Sequence, residues 1–277
     1  MGRPDPRLTV NGNIDFRLQQ MLKAYSKEDP PPHRVKPVPI QVLQRIVAVA
    51  QASNDQFLQA TADMITLAFF FLLRPGEYAD SPSDSSPFSF ADVQLFNGQR
   101  RLQLRSATVA QLQASTFASL TFTNQKNGVR GEVIGLGPSG QIHLCPTKAL
   151  ARRIEHLRSY NAPDTAPLCR VYTHADTCRT VKPAHVSQML RDAVRFIGPQ
   201  LGFLPSDVSA RCLRAAGANA LLCAEVDTNV IRLIGRWRSD EMLRYLHCQA
   251  HPIMRDFSKR MMQGGNFTLI PNQFVPQ

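Results

Sequence analysis

The run from Phe57 to Leu73 constrains this chain more than any other part of it. Its densest stretch, Met64 to Leu73, is apolar apart from one threonine. A bilayer crossing needs about 20 such residues, so the run reads as a helix buried in a protein core. Asn54-Asp55 offers its cap. Arg74-Pro75-Gly76 ends it, because proline and the residue before it resist helix.

A helix this apolar needs partners, and helical patterns recur along the chain. Ile40, Leu43, Ile46, Val47 and Ala50 repeat at helical spacing. Pro146 suits a first helical position, and Ala149 to Tyr160 is amphipathic and basic on one side. A loop is expected from Asn161 to about Thr180. Pro183 opens another helix, with Val186, Leu190, Val194 and Ile197 on one face and Gly198-Pro199 at its end. From Ser209 the pattern is a helix, a helix capped at Asp227, a turn at Gly235 and a helix capped at Ser239.

Residues 77–137 differ. Turn-rich SPSDSSP precedes the strand-like segments FADVQLF, RLQLR, SLTFTNQ and GEVIGLG. The last two flank Lys126-Asn127-Gly128, a hairpin signal. The expected fold is mainly α with a small antiparallel β-sheet. Residues 1–38, polar and proline-rich, read as an arm or linker; 39–264 form the body and 265–277 a tail.

Thirty-two Lys+Arg face 21 Asp+Glu, a net charge of +11. Such a balance points to a polyanion, most commonly nucleic acid, against the alternative of a basic surface with no partner. None of the six cysteines forms a Cys-x-x-Cys pair, so no zinc site is expected. No signal peptide is apparent, which suggests an intracellular, reducing compartment. No phosphate-binding glycine loop is present, and no metal or cofactor is expected.

Arg211 and Arg214 stand at i, i+3, on one helix face. Paired guanidiniums suit a phosphate, although a solvated basic face has the same pattern. Arg74 leaves a buried helix and needs a partner: helical carbonyls, Glu77 or a ligand. Lys126 at a hairpin tip is ordinary in isolation. Trp237, the single tryptophan, offers an N–H donor or a core anchor. Tyr245, beside Met242, Leu243 and Leu246, could simply pack.

Taken together, LLRPGE (72–77), FTNQKNG (122–128), RCLRAAGANALL (211–222) and LIGRWRSDEMLRYL (233–246) resemble the catalytic domain of the tyrosine recombinases, or phage integrase family. The nearest likeness is to recombinases of eukaryotic mobile elements, the DIRS-like and crypton-like groups. The resemblance implies that architecture for residues 39–264, with 1–38 a link to, or remnant of, a core-binding domain. It implies double-stranded DNA as partner, a tetramer on DNA, and a nuclear site in a eukaryotic host. By position it gives Arg74 and Arg214 the role of phosphate-binding arginines, Glu77 a supporting one and Lys126 that of general acid. Trp237 becomes a hydrogen-bond donor and Tyr245 the nucleophile that forms a 3′-phosphotyrosine. Arg211 stands where the family usually has histidine, and arginine cannot act as a base. Slower cleavage is therefore expected. Two further readings stay open: a DNA-binding relic with weak or lost chemistry, and a type IB topoisomerase, which uses a similar residue set.

Overall fold

The computed structural model describes residues 7, 13–28, 36–82, 85–123, 131–174 and 177–237. The chain divides into two compact units, Met1–Arg34 and Val35–Gln277. The first contains helix α1 (Phe16–Glu28).

The second unit is organised on α3 (Gln56–Phe70), in which every residue from Ala60 to Phe69 is buried. Asp55 caps it, accepting the N–H groups of Phe57 and Leu58. Around α3 pack α2 (Ile40–Ala52), α6 (Pro146–Ser159), α7 (Pro183–Leu201) and α8 (Cys212–Cys223). The α2 stripe is close to the expected one: Leu43, Ile46, Val47 and Ala50 are buried, joined by Val42, while Ile40 is half-buried. Two short helices, α4 (Pro75–Tyr78) and α5 (Val109–Gln113), and α9 (Thr228–Ile234), capped by Asp227, complete the α-helices among the described residues.

Strands β1 (Val93–Asn97), β2 (Arg100–Arg101), β3 (Phe117–Phe122) and β4 (Glu132–Leu136) form an antiparallel sheet in the order β2-β1-β3-β4. Val93, Leu95, Leu120 and Phe122 are buried, as the two-residue period of a half-covered sheet requires. Strand β3 pairs with β4 from Ala118↔Leu136 to Phe122↔Glu132, as the hairpin signal predicts; Lys126 lies outside the described residues.

Three expectations are corrected. Of RLQLR (101–105) only Arg101 is in a strand, β2, after which the chain turns and Thr108 caps α5. The loop expected over 161–180 contains a hairpin of β5 (Arg170–His174) and β6 (Thr177–Thr180). Val171 and Tyr172 are buried there, with Tyr172 stacked on Tyr160 of the residues just after α6. Gly198-Pro199 does not end α7. Pro199 falls in the last turn, where it forfeits one backbone hydrogen bond without stopping the helix, which closes at Gly202. That glycine has φ 74°, which lets Phe203 donate to the Gly198 carbonyl at 2.9 Å. The helix expected from Ser239 lies outside the described residues.

No helix among the described residues is long and apolar enough to cross a membrane. The five described cysteines, 145, 169, 178, 212 and 223, are free thiols. Burial pushes Cys169 and Cys212 up to about 11, which keeps both protonated and unreactive at neutral pH.

Candidate active site

The end of α3 sets the site. Leu72 takes a left-handed conformation, φ 52°, and Leu73 donates back to the Ala68 carbonyl at 3.0 Å. That closure leaves the next residues free to change direction, and Pro75 starts α4 with Arg74 at its N-cap. The Arg74 N–H donates to Glu77 Oε2 at 2.7 Å, and Arg74 Nη1 donates to Glu77 Oε1 at 3.2 Å. Glu77 is therefore the partner of Arg74, as one of the sequence alternatives has it. The Arg74 side chain keeps 27% exposure while that of Glu77 keeps 2%.

Arg214 sits one turn into α8 and is buried. Helix α8 comes unusually near to α3, because a Cβ on Gly217 would lie 2.1 Å from the Phe69 carbonyl oxygen. Arg214 donates through Nη2 to the Gly235 carbonyl, and its guanidinium carbon lies 4.3 Å from the centre of the Trp237 ring. Trp237 is also a core anchor, packed with Leu72, Ala218 and Ile231. Gly235 makes room for it: a Cβ there would lie 1.6 Å from a carbon of the indole.

Arg211 and Arg214 share a helix edge but not an environment. Arg211 is the exposed N-cap of α8, placed by the phenol of Tyr78 of α4, which donates to the Ala210 carbonyl at 2.9 Å. Burial raises the Tyr78 pKa well above its usual value, with Cys212 adding to the effect, so this tie stays protonated. An arginine at the positive end of a helix, with no acidic residue in its first turn, is unfavourable until an anion arrives.

Sequence reasoning assigns no role to Arg236, yet it joins these parts. It has φ 59° and closes α9 in the position where glycine is usual: Arg236 donates to the Leu233 carbonyl and Trp237 to that of Arg232, each at 3.0 Å. Its side chain, 2% exposed, places Nη2 3.0 Å from Glu77 Oε2. It also reaches the carbonyls of Phe71 and Leu72, both at 3.2 Å, and its guanidinium carbon lies 3.8 Å from the centre of the Phe122 ring. These are the carbonyls at the end of α3, the kind of partner that sequence reasoning offers to Arg74. Burial lowers the Arg236 pKa, and the Glu77 carboxylate opposes that shift. The one signal in the sequence is an arginine between the glycine and the tryptophan.

The turn 235–237 thus gathers Arg214 directly and Arg74 through Glu77, beside the strand that leads toward Lys126. Lys126 and Tyr245 themselves lie outside the described residues. Of the three arginines, Arg74 and Arg211 reach solvent and Arg214 is buried.

No protein-family model and no curated protein matches the chain. Among solved structures, its fold is similar to that of the XerH site-specific recombinase bound to difH substrate in a pre-cleavage complex. The TM-score is 0.52 at 11% identity, covering 93% of this chain and 67% of that one. XerA recombinase matches with a TM-score of 0.49 at 15% identity, over 84% of this chain and 66% of that one. The Tn1549 transposon integrase in complex with circular intermediate DNA matches with a TM-score of 0.44 at 15% identity, over 82% and 65%. The chain therefore spans about two thirds of the length of these recombinases. The mainly helical body with its small antiparallel sheet is a tyrosine recombinase catalytic-domain fold.

Proposed function

We propose that the chain is a site-specific DNA recombinase or integrase that cleaves and rejoins strands through a 3′-phosphotyrosyl intermediate. The observation that carries this reading is the turn 235–237, which holds Arg214 by Gly235 and Trp237 and reaches Arg74 through Arg236 and Glu77. Two arginines so gathered, with Arg211 at a helix N-terminus, suit the charge that builds on the non-bridging oxygens of an attacked phosphodiester. Tyr245 supplies the nucleophile and Lys126 the proton for the leaving 5′-oxygen, roles that rest on the resemblance. The phosphotyrosine conserves the bond energy, so rejoining needs no nucleotide. XerH, whose fold is similar, is a site-specific recombinase bound to its difH substrate, which supports DNA as the partner. Residues 39–264 are the proposed catalytic domain, in a chain of the mobile-element type acting as a tetramer on DNA inside the cell.

The exposed Arg211 favours a second reading, a relic that binds DNA with weak cleavage, because the position lacks a group able to move the tyrosine proton. Incubation with labelled DNA separates the readings. A recombinase gives an SDS-resistant adduct at specific sites, lost in Tyr245→Phe. Salt-sensitive binding without an adduct supports the relic. An adduct with relaxation of any supercoiled plasmid supports a type IB topoisomerase.

A further inference from the structure

We infer that Arg236 is a positioning residue that neutralises Glu77 and thereby leaves the charge of Arg74 available to DNA phosphate. The inference rests on the reading of Arg74 as a phosphate-binding group. Glu77 divides its two oxygens. Oε2 accepts the Arg74 N–H at 2.7 Å and Arg236 Nη2 at 3.0 Å, while Oε1 accepts the Arg74 guanidinium at 3.2 Å. The two cations differ in freedom. Arg236 is 2% exposed, bound to the carbonyls of Phe71, Leu72 and Ile234, and stacked on Phe122. Arg74 has 27% exposure and one side-chain bond to Glu77. Arg236 therefore stays when a phosphate arrives, and Arg74 is the one that can turn.

Charge decides what happens without Arg236. A carboxylate with 2% exposure and a single cationic neighbour holds that neighbour strongly, because water no longer screens it. Glu77 would then compete with DNA for Arg74. With Arg236 in place the carboxylate is already paired, and releasing Oε1 leaves no bare buried charge. The expected sign of the epistasis follows. Removing Arg236 alone is harmful, and removing Glu77 as well relieves most of the harm. A purely structural role for the pair predicts the opposite, with the double variant no better than either single one.

The test uses the full chain with Arg236→Met, Glu77→Gln and the double variant, each in a wild-type and a Tyr245→Phe background. Adduct formation on a nicked suicide duplex is followed at saturating DNA. Affinity for the same duplex is measured in the Tyr245→Phe series. Arg236→Met is expected to slow adduct formation by roughly tenfold or more and to weaken binding by about threefold. The double variant should recover most of both losses. A double variant as slow and as weakly binding as Arg236→Met overturns the inference. Should Arg236→Met not fold, the double variant, which buries no unpaired charge, decides alone: adduct formation below about a hundredth of wild type refutes it. If the wild type forms no adduct, the recombinase reading fails, and the affinity series still decides the role of Arg236.

Discussion

Gly217→Ala tests whether the close approach of α8 to α3 is what places Arg214. Two effects oppose each other. In a helix interior the change is favourable by about 1 kcal/mol, since alanine loses less backbone freedom than glycine. Against it, the new Cβ would lie 2.1 Å from the Phe69 carbonyl oxygen and 2.4 Å from Leu72 Cδ2. The leucine can rotate, but the carbonyl belongs to the α3 backbone and cannot. A carbon–carbonyl contact relaxes near 3.3 Å, so the helices must part by about 1 Å. Overpacking of that kind costs about 1–3 kcal/mol, and a backbone obstacle places it at the upper end. The net loss is about 2 kcal/mol, or about 4–8 °C in Tm for a unit of this size. A displacement of about 1 Å at Arg214 is also expected to slow DNA cleavage about a hundredfold. Thermal unfolding followed by circular dichroism, with the adduct assay alongside, measures both. A Tm equal to or above wild type would mean that propensity outweighs the contact, and would refute the argument that Gly217 sets the helix spacing.

Three further outcomes are expected. Asp55→Ala removes the side chain that accepts the first N–H groups of α3 and should lower stability by about 1 kcal/mol in urea unfolding, while Asp55→Asn should restore most of it. His156 is held to about 4, from 6.5, by burial and by the neighbouring Arg153, and its Nε2 accepts the Tyr172 N–H at 2.9 Å. Between those values the unfolded chain binds a proton that the folded chain refuses, so this contribution is complete above pH 6.5 and lost as pH falls toward 4. The urea midpoint should therefore decline over that range, and less steeply in His156→Gln. Arg211→His supplies a group able to move the proton of Tyr245, so adduct formation on a nicked suicide substrate should rise above wild type; no gain would sink the idea that Arg211 limits the rate.

The helices were legible because their apolar residues repeat at one period and their starts carry conventional signals, the caps Asp55 and Asp227 and the first-turn prolines Pro146 and Pro183. Their ends were less so. Helices α3 and α9 both close on a left-handed residue, and in each the residue is not glycine but Leu72 or Arg236. Glycine marks such a position in a sequence because it alone adopts it freely. A leucine or an arginine there looks like continued helix, so α3 seemed to run on to Leu73. Gly235, the visible glycine, is needed for a different reason, as it leaves space for the Trp237 ring. The β5–β6 hairpin was hidden differently, since only Ala175 and Asp176 separate the two short strands and neither is a hairpin glycine.

The same two left-handed residues explain why the site forms where it does. Each costs about 1–2 kcal/mol relative to a relaxed backbone, so neither persists without compensation. Leu72 is compensated by complete burial against Trp237, Ala218 and Ile231. Arg236 is compensated by its bonds to Glu77 and to the carbonyls that the turn at Leu72 exposes. Each strained turn thus supplies what the other needs: one presents carbonyls and the other fills them. Arg74 is carried on the first turn and Arg214 is held by the second. The spacing of Arg74 and Arg214 is then a property of the turn pair, and it would not survive relaxation of either turn alone.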